Sequence, residues 1–137
     1  MNWTRFFIAF IAAFVFIFAF GFVWHAKLMH DAYNEVPTLW RTDTDFGAHF
    51  PLLILGHVVM AFFLTMIYAC FVPAGGAGAG ARLGIMVALL YTGYNLIRFA
   101  VEPLTTKILG FWIVGDLIAF AVVGAIIGAI YKPSAAA

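Results

Sequence analysis

Charge is scarce in this chain: Asp, Glu, Lys and Arg make up 9% of its 137 residues, against about 25% in a soluble domain. So few charges cannot cover a surface that faces water, so the surface must face lipid. Serine is nearly absent too, since only Ser134 occurs, in the tail. There is no Gly-x-Ser-x-Gly elbow, no nucleophile beside a base and no zinc-hydrolase motif, so no enzyme activity is expected. The single cysteine, Cys70, excludes an intramolecular disulfide and any cysteine-based metal cluster. Its place in an apolar run reads as a small buried residue. Net charge is +1, and no basic patch suggests nucleic acid.

What is present is apolar: 66% hydrophobic residues and a mean hydropathy of +1.07. The pattern predicts one all-α domain over 1–137, an antiparallel four-helix bundle in a membrane, with spans near 5–29, 51–72, 82–102 and 108–131. Arg5 precedes an uncharged run from Phe6 to Trp24 that exceeds a signal-peptide core and lacks a small-x-small cleavage site, so it reads as a retained helix. Its eight Phe point all round the helix, as lipid-facing bulk does. The first helix is expected to run on to about Val36, ahead of Pro37. Residues 30–50 form a polar segment on the side termed outer here, and Pro51 is expected to open the second helix. Residues 74–81 read as a flexible Gly/Ala linker. Gly124 and Gly128 form a small-x-x-x-small face that suits tight packing, inside the bundle or against a partner.

An ionisable group at the centre of a membrane helix costs about 2.5–3.5 kcal/mol. The few such groups here share a depth. Tyr91, Asn95, Arg98 and Glu102 recur at i, i+4, i+7 and i+11, one narrow helical face. His25 lies near the outer end of the first span, and His57 and Asp116 lie about two turns into the second and fourth. His25, His57, Asn95, Arg98, Glu102 and Asp116 are therefore expected to converge in one layer roofed by the outer segment. That layer is either a structural ion-pair network or a proton-labile, ligand-binding pocket. Arg98 must find an anion in Glu102 or Asp116, which leaves the other acid less well compensated.

The four histidines, His25, His30, His49 and His57, show no metal-binding spacing. No cofactor is expected; a metal, haem or pigment on His25 or His57 would need tertiary convergence that spacing does not support. Asp43-Thr44-Asp45 reads as helix-capping residues rather than a metal site. Trp40-Arg41 reads as an interfacial anchor.

The stretch from His25 through Tyr33 to Leu39-Trp40-Arg41 resembles a family of small four-span bacterial membrane proteins. In them a histidine ends the first span, a tyrosine follows eight residues on, and Leu-Trp-Arg comes shortly after. The likeness covers most of the chain. It implies the architecture, a bacterial inner membrane and a unit of Tyr33, Trp40 and Arg41 with His25 at the outer face. It implies no activity. His30 and His49 lie outside the pattern.

Basic residues divide three to three across the expected membrane, Arg5, Arg82 and Lys132 against Lys27, Arg41 and Lys107. The acid-free end holding both termini favours the cytoplasm. The leading expectation is an accessory subunit that packs in the bilayer against other membrane-protein subunits or copies of itself. The alternative is a proton, cation or small-ligand binding or transport module built on the polar layer.

Overall fold

The computed structural model describes residues 1–72 and 75–133, and helices account for all the regular structure among them. Helix α1 (Trp3–Val23) starts where the Asn2 side chain accepts the Arg5 N–H at 3.1 Å. It passes into a π-helical turn over Trp24–Leu28, closed by an N–H of Met29 bonded to the Trp24 carbonyl at 2.9 Å. The expected continuous helix to Val36 is thus broken: Met29 separates the turn from a short α2 (His30–Asn34), and a 3₁₀ turn follows over Pro37–Leu39. One residue of slack in the π turn is enough to redirect the chain across the end of the bundle.

Helix α3 (Asp43–Phe71) has 29 residues, about 43 Å of helix against a hydrocarbon core of about 30 Å. Its start is set by polar chemistry, not by Pro51. The Thr42 side chain caps it, and Asp43 and Asp45 lie in the first turn, where acids complement the helix dipole. Pro51 therefore lies inside the helix, at the start of its apolar part. Cys70 is exposed on the outside of α3, not buried.

Helix α4 (Gly76–Val101) corrects the linker expected at 74–81: position 74 lies outside the described residues, but the helix begins at Gly76 and the glycines after it are helical. Glycine costs about 1 kcal/mol per position in a helix interior, and close packing explains why it is used here. Gly80, Gly84 and Ala88 are buried at four-residue spacing, facing helix α5 (Thr106–Ile130). A Cβ on Gly80 would run into the Gly124 carbonyl, and one on Gly84 into the Phe120 carbonyl. On α5, a Cβ on Gly128 would meet the Gly76 carbonyl. Backbones this close gain dispersion contacts that lipid tails cannot match. Gly76 itself has a φ of 67°, a conformation suited to glycine.

The four long helices are each apolar enough to cross a membrane. They alternate in direction and lie side by side in the order α3, α1, α5, α4. A core of Phe6, Ala9, Ala13 and Ile17 from α1, Leu64 and Tyr68 from α3 and Val123 and Ile127 from α5 fills the inner half. Large apolar residues such as Phe71 and Leu90 stay about four-fifths exposed (81% and 78%), which suits lipid and not water. A second core of Met29, Ala32, Leu104, Ile108 and Trp112 joins the roof segment to the turn between α4 and α5. The Lys107–Glu35 ion pair at 2.6 Å ties the same two regions at the surface.

Candidate functional site

Edge helices α3 and α4 do not pack against each other along their length, and in the outer half a cavity of about 320 Å³ occupies the space between all four helices. Of the six residues expected in the polar layer, His25, His57, Asn95, Arg98 and Asp116 line it. Glu102 does not. It terminates α4 and turns back to Arg98, whose Nε and Nη2 donate to its two carboxylate oxygens at 2.8 and 2.6 Å. This fork-to-fork geometry is the strong form of an arginine–carboxylate bond. It holds the Glu102 carboxyl below its usual range.

With Arg98 so engaged, Asp116 is the acid left over. Its Oδ2 accepts the Asn95 amide at 2.7 Å, and among the described residues no cation lies within 4 Å of it. Asn95 is 3% exposed, so the bond that joins α4 to α5 is a buried one. Arg98 lies over the Trp112 ring at 4.6 Å, a cation–π contact that fixes the guanidinium at the cavity wall.

The histidines have assignable proton positions. His57 Nδ1 lies 2.7 Å from the Leu53 carbonyl, which can only accept, so Nδ1 carries the hydrogen. In the neutral ring Nε2 is then an acceptor, and it points toward Gly21, where a Cβ would approach it to 3.3 Å. The Trp112 Nε1–H donates to the Tyr33 hydroxyl at 2.9 Å. That oxygen lies 2.6 Å from His25 Nδ1, which directs the tyrosine proton to His25. The alternative acceptor, Met29 Sδ at 3.5 Å, is weak. Burial raises the Tyr33 hydroxyl above the usual tyrosine range, against the lowering effect of the Trp112 bond, and so keeps it a donor.

The outer segment gathers round Tyr33. The Trp40 indole donates to the Tyr33 carbonyl at 3.1 Å, and the two rings meet edge to face at 4.7 Å. Tyr33 thus links His25 and Trp40. Arg41 turns away, donating to Asp45 at 2.7 Å in an exposed pair. Tyr33, Trp40 and Arg41 also border a second, outer recess with His49, and Tyr33 and Leu53 line both spaces. Among the described residues no three His, Cys, Asp or Glu side chains are grouped as a metal site needs.

The aromatic walls Trp24 and Trp112 are not among the residues expected at the site. Two signals were available. Trp112 lies one turn before Asp116, on the same face, and an indole N–H inside a membrane needs an acceptor. Trp24 finds its acceptor in the Phe111 carbonyl at 3.1 Å, a seat that exists because Gly115 has no side chain to fill it.

Compared with protein-family models, curated proteins and solved structures, the chain finds no match.

Proposed function

We propose that this chain is a membrane-embedded binding module that takes up a proton or a small cation at Asp116. One observation carries the reading: Arg98 places two hydrogen bonds on Glu102, so Asp116 faces the cavity with only a neutral amide as partner. A carboxylate without a counter-ion is costly away from water and is compensated by a proton or by a bound cation. The groups around it are His57 from α3, His25 from the π turn, Tyr33 from the roof and Tyr91 and Arg98 from α4. Infrared difference spectra of the chain in lipid nanodiscs test the proposal. A protonated-carboxyl band should appear as pH falls, vanish in Asp116→Asn, and be lost from wild type as an added cation displaces the proton. A spectrum unchanged by Asp116→Asn overturns it.

The expectation of an accessory subunit in a larger complex keeps the outward faces of α1 and α4 as support, among them Phe7, Ile11, Met86 and Leu90. It no longer draws on Gly124 and Gly128, which α4 covers. Gentle extraction that always returns the chain alone would remove it. For location, the acid-free end with Arg5, Arg82 and Lys132 supports both termini in the cytoplasm and the cavity in the outer leaflet, while a bacterial inner membrane rests on the resemblance alone.

A further inference from the structure

The cavity's chemistry narrows the cation. Its polar groups are sorted by what they still have to offer. The N–H groups of Trp24 and Trp112, and His57 Nδ1, each already have a partner within the protein. The Asn95 amide donates to Asp116. Donors remain on the wall at Arg98 and His25, but the Arg98 charge is matched by Glu102, whereas the Asp116 carboxylate keeps acceptor positions that no cation within 4 Å offsets among the described residues. A ligand that satisfies them brings N–H donors and positive charge. An anion would face Asp116, and a neutral carbonyl compound would leave its charge unmatched.

The rest of the wall is aromatic. Phe20 and Trp24 stack at 5.4 Å between centroids, and Tyr91 and Phe120 meet at 5.9 Å; all four line the cavity. Such rings hold an ammonium group over their faces and an apolar substituent against their edges.

Resting on the reading of Asp116 as the cation site, we infer that the ligand is a protonated organic amine with an apolar or aromatic substituent. Its N–H groups bond Asp116, and its substituent lies among Phe20, Trp24 and Phe120.

The test uses the full chain in nanodiscs, with benzylamine as probe and tryptophan fluorescence, to which Trp24 and Trp112 contribute, as readout. Benzylamine should bind saturably. Benzyl alcohol, of the same shape without charge, and benzyltrimethylammonium, charged without N–H donors, should each bind more weakly by about thirtyfold, the size expected when one partner of a buried charged pair is missing. Asp116→Asn should lose the same factor for benzylamine. The three-probe comparison on wild type decides the matter even if that variant does not fold. Equal binding of the alcohol or of the quaternary ion overturns the inference. A carboxyl band that titrates at Asp116 without any benzylamine binding overturns the amine and leaves the proton site standing; no titration and no binding removes both.

Discussion

Asn95 on α4 donates its amide to Asp116 on α5 at 2.7 Å, a buried bond between two helices that also meet through glycine backbones. Deleting the donor by Asn95→Ala should cost about 0.6–2 kcal/mol, the range measured for hydrogen bonds between membrane helices. Unfolding in mixed micelles would show it. In the Asp116→Asn background the same substitution should cost less, because the charged acceptor is gone.

Glycine positions separate into two classes. Gly84→Ala and Gly124→Ala each place a methyl against the opposite backbone and should destabilise by about 1–3 kcal/mol. Gly93→Ala and Gly110→Ala meet nothing within 4 Å and should be neutral or stabilising by up to about 1 kcal/mol through helix propensity. Thermal midpoints of the four variants check this, and a midpoint unchanged in Gly84→Ala would contradict the packing.

Gly115→Ala aims at the cavity wall rather than the helix seam. Its methyl would overlap the Trp24 indole and push it from the Phe111 carbonyl. Tryptophan emission should shift and iodide quenching should rise, while helix content by circular dichroism stays the same.

Tyr33→Phe removes an oxygen that accepts from Trp112 and donates to His25. Leaving a buried indole N–H without a partner costs about 1–3 kcal/mol. The imidazole resonances of His25 should move with the loss of its neighbour, whereas those of His49, bonded to Asp45, should not.

Glu102 sets an acid limit. Its folded pKa lies below the ordinary 4.5, chiefly through the Arg98 hydrogen bonds. Its contribution to stability is therefore full above that ordinary value and is lost as pH falls through the lower, folded one. Below pH 4.5 the wild-type thermal midpoint should drop more steeply than that of Glu102→Gln. Parallel curves would show that the pair adds nothing.

Composition alone was enough for the membrane and the four helices, because lipid demands closed helical hydrogen bonding over any long uncharged run. The periodicity of Tyr91, Asn95 and Arg98 was equally legible, since one helix carries all three. Tertiary structure decided the rest. Whether Arg98 takes Glu102, one turn along its own helix, or Asp116 on α5 was decided only by the packing that sets Asp116 against Asn95. Gly80 and Gly84 look flexible by propensity and are helical where the α5 backbone closes on them at Gly124 and Phe120. Trp24, Trp112 and the bend at Met29 entered the site through packing between distant segments. Local sequence fixes the direction of a side chain only relative to its own helix, and a cavity exists only once several helices have taken their places.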